Sequence, residues 1–157
     1  MLVATTTALY GQPPPASGPP AKRRIKYVEY GDYRVKKVNA RELEKLVFGS
    51  KGRLELPAVV DFYATWCGPC IPMAQALEQL AVEFSKKVQF LKVDTDEEYE
   101  LAHQLQLRGL PTLLFVTKNL DRDPVVRTEG LLPLEVLRDI IEQELDVQRD
   151  KVSEIFL

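Results

Sequence analysis

The sequence predicts an α/β domain built on one central mixed β-sheet with helices on both faces, and three observations carry that expectation. Apolar runs of strand length recur at 57–63, 88–93 and 112–117, rich in Val, Leu and Phe as strands covered on both faces are. Between them stand segments whose apolar residues return every three or four positions, the period of a helix. After residue 117 the alternation breaks. A turn-rich connection, Lys118-Asn-Leu-Asp-Arg-Asp-Pro124, leads straight into another short strand, so two parallel crossovers are followed by a hairpin.

Each element has its own local reason. Tyr27 to Val35 suits a short edge strand. Asn39 with Glu42 three residues later is a capping box that opens a helix stopping near Gly49. Pro57 to Tyr63 is the first buried strand. Ile71, Ala74, Leu77, Leu80, Ala81 and Phe84 then set a helical period, which places a helix from near Cys67 to about Phe84. Val88 to Val93 is the second buried strand, Glu97 to Leu105 a helix, and Thr112 to Thr117 the third strand. Val125 to Thr128 is short enough for an edge. Pro133, in a first helical turn, begins the last helix, with Leu134, Leu137, Ile140, Ile141 and Leu145 on one side. The order is β-α-β-α-β-α-β-β-α over residues 27–147, with no internal repeat.

The flanks differ. The first 20 residues carry five of the chain's 11 prolines and no acid, which neither a central strand nor a helix sustains. Residues 1–26 are expected to be a disordered leader or the remnant of an organelle transit peptide. Residues 148–157 extend the last helix, with Val152, Ile155 and Phe156 as their apolar side.

Composition bounds the function. A chain of 157 residues buries about two-thirds of its unfolded surface without a covalent staple. Its two cysteines are too few for the disulfide framework of a small secreted domain, and no secretory signal pattern is present, which favours a reducing compartment. No apolar run approaches the roughly 20 residues of a membrane span. Lys22, Arg23, Arg24 and Lys26 are the only charges before residue 28, which leaves 17 basic against 23 acidic residues in the rest. An acidic domain has no basic face for phosphates, so direct nucleic-acid binding is not expected.

Both cysteines stand in one stretch, DFYATWCGPC at 61–70. With Cys67 where a strand has ended and a helix begins, unpaired N–H groups and the positive end of the helix dipole favour its thiolate over a free thiol titrating near 8.5. Cys70 lies one turn later on the same side. The expected roles follow: Cys67 attacks a disulfide of a target protein, and Cys70 resolves the mixed disulfide. Such chemistry needs no metal and no organic cofactor. Gly68 lets a target backbone approach, Pro69 stiffens the turn, and Trp66 offers a large amphipathic surface or, alternatively, packs in the core. Zinc binding would need four ligands, and the chain has no second Cys-x-x-Cys and a single histidine, His103, on another helix.

Asp61 is a carboxyl in the middle of an apolar strand. Burial there raises its pKa or demands a partner. It is the candidate proton acceptor that deprotonates Cys70, with Lys92 in the neighbouring strand as its candidate charge partner, unless Lys92 extends to the surface or Asp61 reaches solvent at a strand end.

Taken together, Asp61, Trp66-Cys67-Gly68-Pro69-Cys70, Arg108-Gly109-Leu110-Pro111-Thr112 and Gly130 resemble the thioredoxin family over about residues 33–145. The resemblance implies a thioredoxin fold, dithiol reductase activity, a cis bond before Pro111 with that proline facing the cysteines, backbone pairing of Leu110 with an extended target, and Gly130 lining the target surface. There are departures. Gln75 stands where the family usually has a helix-kinking proline, Pro72 stands where proline is unusual, and Ile71 replaces an often basic residue. More narrowly, DFYATWCGPC, KVDTDEEYE, RGLPT and RTEGL resemble the thioredoxin z or CITRX type of plants and algae. That implies a chloroplast stroma location, with nucleoid association, partners among fructokinase-like proteins and the plastid RNA polymerase complex, and reduction by a plastid thioredoxin-reducing system. Two other classes stay open at this point: a scaffold subunit of a plastid transcription complex, and an oxidase or isomerase of secreted proteins, which the missing signal peptide disfavours.

Overall fold

The computed structural model describes residues 34–48, 54–118 and 125–149. The expected leader over 1–26, most of the strand expected over 27–35, the helix end near Gly49 and the extension beyond residue 149 lie outside the described residues. Within them the elements follow the predicted order: β1 (Val35–Lys37), α1 (Ala40–Phe48), β2 (Ala58–Tyr63), α2 (Cys70–Glu83), β3 (Gln89–Asp94), α3 (Tyr99–Gln104), β4 (Thr112–Val116), β5 (Val125–Glu129) and α4 (Leu134–Glu144).

Helix boundaries follow local hydrogen bonding. α1 opens on the expected capping box: the Glu42 N–H donates to Asn39 Oδ1 at 2.9 Å, and the Asn39 N–H donates to Glu42 Oε2 at 3.1 Å. α2 begins three residues later than the periodicity indicated, at Cys70, with Pro69 as its N-cap. Residues 64–69 form turns of their own, in which the Cys67 N–H reaches Ala64 O and the Ile71 N–H reaches Gly68 O, both at 3.1 Å. Cys67 therefore precedes the helix rather than starting it. Pro72 falls in the first helical turn, where a missing N–H leaves no intrahelical bond unmade.

The inward face of α2 also differs from the periodic reading. Ile71 is 63% exposed, and Cys70 and Met73 take the inward positions. α4 starts one residue after Pro133, which is its N-cap in an extended conformation. α3 is shorter than expected and ends in a Schellman turn: the Gln106 N–H donates to His103 O at 2.9 Å and the Leu107 N–H to Ala102 O at 3.1 Å, with Gln106 at φ 51. This turn sends residues 107–110 back across the sheet end.

The sheet order is β1-β3-β2-β4-β5, with β1, β3 and β2 parallel and β4 and β5 antiparallel. The short flanking strands β1 and β5 are the edges. Alternation along the strands divides the core in two. Val59, Phe90, Leu113 and Phe115 pack with Leu77, Leu80 and Phe84 of α2 and with Leu137 and Ile141 of α4. Ala58, Val60, Phe62, Leu91 and Val93 pack on the opposite face with Leu43 and Val47 of α1, joined by Leu101 and Leu105. The fold is thus the mixed sheet with helices on both faces that the sequence predicts.

One ion pair ties the two helices of the first layer together. Arg138 Nε and Nη2 donate to Glu83 Oε2 and Oε1 at 2.7 and 2.9 Å, and Gln79 Nε2 donates to Oε1 at 3.2 Å. The forked bond to Arg138 holds the Glu83 carboxyl below its usual range. Truncating only one partner leaves a charge in a largely buried position. Arg138→Ala is therefore expected to lower unfolding free energy by about 3 kcal/mol in urea titrations, whereas a Glu83→Leu, Arg138→Leu pair stays within about 1 kcal/mol of wild type.

Candidate active site

The chain leaves the centre of the sheet at Tyr63 and turns at once into the cysteine segment. β2 is hydrogen-bonded on both sides, to β3 and to β4, so its side chains have no freedom to exchange faces. Asp61 shares the face of Val59, under α2 and α4. It stands opposite Lys92 of β3 and Leu113 of β4, and Leu113 in turn stands opposite Thr128 of β5. Asp61 is 1% exposed, and its Oδ1 accepts no hydrogen bond among the described residues. Burial pushes its carboxyl up to about 7, with the positive charge of Lys92 opposing the rise. The sequence expectations of a buried acid and of Lys92 as its cross-strand neighbour both find their geometry here.

Cys67 and Cys70 form a disulfide with their Cα atoms 5.4 Å apart. The two residues are almost equally covered, at 5% and 4% exposure, so exposure does not tell them apart. Position does. A cleft of about 570 Å³ opens beside them, and Cys67 lines it while Cys70 does not. Trp66, Cys67, Gly68 and Pro69 form one wall; Tyr99 and Ala102 of α3 with Leu107, Arg108, Gly109 and Leu110 form the other, and Thr95 closes the end.

Hydrogen bonds between distant segments hold the walls. Trp66 is 72% exposed and its Nε1–H donates to Asp96 Oδ2 at 2.9 Å, so it is a surface residue held in place and not a core tryptophan. Asp96 is presented by the Thr95 N–H and Oγ1, which reach Tyr63 O at 2.9 and 3.1 Å. On the far wall Thr112 Oγ1 donates to Gly109 O at 2.7 Å, and the Gly130 N–H donates to Pro111 O at 2.8 Å. Gly130 adopts φ 87, a conformation that favours glycine, and a Cβ there or on Gly68 would meet no atom within 4 Å. The Leu110–Pro111 bond is cis, as the resemblance implies. Pro111 is buried, and Leu110 packs against the cluster of Ala64, Cys67 and Cys70.

Of the residues singled out in the sequence, Trp66, Cys67, Gly68, Pro69 and Leu110 line one cleft, Cys70 is bonded to Cys67, Asp61 and Lys92 stand side by side on neighbouring strands, and Gly130 is tied to Pro111. His103 is exposed on α3 and plays no part in the cleft. The sequence reading missed Tyr63, Asp96 and Tyr99. The period of two places Tyr63 on the face of Asp61 and so marks it, whereas nothing local pairs Asp96 with a tryptophan 30 residues away. Among the described residues, no group of three or more His, Cys, Asp or Glu side chains is arranged to hold a metal ion, and no helix is long and apolar enough to cross a membrane. The arrangement offers a disulfide with one cysteine lining an open cleft and a buried carboxyl of near-neutral pKa in the strand that leads into it, which is the equipment of thiol–disulfide exchange.

Known proteins resemble this chain in sequence and in fold. The Thioredoxin family pattern matches residues 34–143. The chain is 51% identical over 132 residues to the chloroplastic thioredoxin-like protein CITRX of Solanum lycopersicum, covering 84% of this chain and 69% of that protein. It is 56% identical over 114 residues to the CITRX protein of Oryza sativa subsp. indica, covering 73% of this chain and 58% of the relative. The crystal structure of chloroplastic thioredoxin z superposes with a TM-score of 0.64 at 37% identity, over 70% of this chain and 93% of that one. With a family pattern across most of its length and the Cys67–Cys70 pair at the end of its central strand, the chain belongs to the thioredoxin family.

Proposed function

We propose that this protein is a protein-disulfide reductase of the chloroplast, and the observation that carries the proposal is the asymmetry of the cysteine pair, with Cys67 lining the cleft and Cys70 outside its lining, together with the Asp61 carboxyl buried in the strand that precedes them. In the reduced state the Cys67 thiolate attacks one sulfur of a target disulfide. A mixed disulfide forms and the target's other sulfur leaves as thiolate. Asp61 accepts the proton of the Cys70 thiol, directly or through water, and the Cys70 thiolate attacks Cys67 Sγ. The target's second thiolate leaves, the Cys67–Cys70 disulfide closes, and two electrons have passed to the target. Protons return to the target thiols from solvent.

Trp66, Gly68, Pro69 and Leu110 are the surface on which the target segment lies, Gly130 and the buried Pro111, bonded to each other, hold the backbone next to Leu110 for that contact, and Lys92 tunes Asp61. No metal or organic cofactor enters any step. The chloroplastic designation of the relatives supports the compartment, and the resemblance to thioredoxin z supports the finer reading. In that reading the protein acts in the stroma or at the nucleoid on partners such as fructokinase-like proteins and the plastid RNA polymerase complex, and is recharged by a plastid thioredoxin-reducing system. A scaffolding role in such a complex is favoured by Ile71 and Leu131, two exposed apolar side chains outside the cleft lining.

Three experiments separate these readings. With Cys70→Ser as bait, mixed disulfides at Cys67 should accumulate and be identifiable by mass spectrometry, while Cys67→Ser should trap nothing; trapping by Cys67→Ser alone would reverse the assigned roles, and equal trapping by both would remove the distinction. In a complementation assay the Cys67→Ser, Cys70→Ser double variant is expected to fail, and full rescue would mean the scaffold reading is correct.

The third concerns Asp61. Its folded pKa of about 7 lies above the ordinary 3.8, so between those values the folded state holds a proton that the unfolded state releases. Stability conferred by the neutral carboxyl is therefore lost as pH rises toward 7. Asp61→Asn should gain stability over wild type progressively from about pH 4 to about pH 7 in urea unfolding, with the gain level above that. The same variant should slow resolution by roughly ten- to a hundredfold while leaving attack near the wild-type rate. Equal slowing of both steps would remove Asp61 from the role of proton acceptor.

A further inference from the structure

Tyr63 ends β2 on the same face as Asp61. It packs against the cluster of Ala64, Cys67 and Cys70, and the Lys92 ammonium stands over its ring, 6.0 Å from the centroid. Lys92 is also the cross-strand neighbour of Asp61. One cation is thus placed between an aromatic face and a carboxyl whose Oδ1 no described donor reaches. A cation within about 6 Å of a ring centroid is attracted by the ring quadrupole. A half-buried lysine without such a hold extends its ammonium toward water.

We propose that Tyr63 is a positioning residue for Asp61: its ring keeps the Lys92 ammonium at the sheet end beside the buried carboxyl, and so holds a positive charge near the group that accepts the Cys70 proton. The consequence for exchange rests on the proton-acceptor reading above, but the arrangement itself does not. Other charges face the same phenol. Burial, the largest cause, raises the pKa of the phenol; Lys37 of β1, which pairs with Glu97 at 2.8 Å, opposes the rise, and Asp94 of β3, Glu97 and Asp61 add to it. Across the sheet from Asp61 the other way stand Leu113 and Thr128, which carry no charge, and the cluster of Ala64, Cys67 and Cys70 packs against Tyr63. Lys92 opposes the burial of Asp61, so losing its hold releases the carboxyl to a still higher pKa.

The test is the titration of the Asp61 carboxyl in the oxidised protein, followed by carbon-13 NMR. Wild type should titrate near 7. Tyr63→Leu should titrate about half a unit higher, a shift of the size a cation–π contact supplies. Tyr63→Phe, which keeps the ring, should match wild type. Lys92→Met should raise the value, and adding Tyr63→Leu to it should change nothing further. No shift or a downward shift in Tyr63→Leu overturns the proposal, as does a Phe shift equal to the Leu shift, which would assign the effect to the hydroxyl. The same holds if Tyr63→Leu acts equally without Lys92. A measurement on wild type needs no variant to fold: the ε-methylene protons of Lys92 should show an upfield ring-current shift, and random-coil values there overturn the proposal. The oxidised protein performs no exchange, so these results stand whether or not Asp61→Asn slows resolution.

Discussion

A carboxyl group that cannot leave the interior is the constraint on which the rest of this structure depends. Asp61 occupies the centre of the central strand, with β3 bonded on one side and β4 on the other. The alternation that sends Val59 into the layer of α2 and α4 sends Asp61 there too, and a slip of one residue would expose the whole apolar set of the strand to the wrong face. The acid is therefore held by the same pairing that holds the core. What it loses in hydration is not restored at Oδ1 by any donor among the described residues, so the neutral form is favoured well above the pH at which a free carboxyl ionises. A group kept neutral near pH 7 can give or take a proton there at small cost, which is the requirement for assisting a thiol.

The cysteine turn converts that buried property into directed chemistry. β2 ends at Tyr63, residues 64–69 turn without entering the helix, and α2 starts only at Cys70. This three-residue delay separates the sulfurs: one belongs to the loop and the cleft, the other to the first turn of a helix packed on the sheet. Had the helix begun at Cys67, both would lie on one helical face with similar access. The two exposures are nearly equal in the disulfide form, so the distinction comes from what each residue faces and not from how much of it is seen.

Much of this was legible in the sequence, for reasons that show where legibility stops. Signals confined to a few residues carried through: the Asn39/Glu42 cap forms as written, the apolar runs became the three inner strands, and the acid in one of them is buried. Boundaries shifted where a local rule competed with a pattern. Periodicity counted Ile71 as inward and ran the helix back to Cys67, but Pro69 with its fixed φ and the turn bonds around it set a later start, which rotates Ile71 to solvent and brings Met73 in. The cleft was not legible as a cleft. Trp66 meets Asp96 through a hydrogen bond across 30 residues, and the far wall is bent into place by the Schellman turn at Gln106, where the residue adopting φ 51 is not the glycine that would have signalled it. Tyr63 was readable from the alternation of β2, but its contact with Lys92 depends on the β2–β3 register, which no single strand specifies.

The division between local and distant contributions has a consequence for how such a protein acquires partners. Ten contiguous residues, from Asp61 to Cys70, supply the acid, the sulfurs and one wall, and their geometry is locked by the sheet and by α2. The opposite wall comes from α3 and residues 107–110, held by separate bonds from Thr112 to Gly109 and from Gly130 to Pro111. Substitution at Tyr99, Leu107 or the exposed Ile71 changes the shape and polarity that a target meets without disturbing the strand that buries Asp61. On the proposed roles, changes at Tyr63 or Lys92 act in the opposite sense, on the proton chemistry of Asp61 and not on the cleft lining. In the proposed function, selectivity and reactivity therefore reside largely in different segments of one small domain, joined where Trp66 is tied to Asp96, where Thr95 bonds to Tyr63 O and where Leu110 packs against the cysteine cluster.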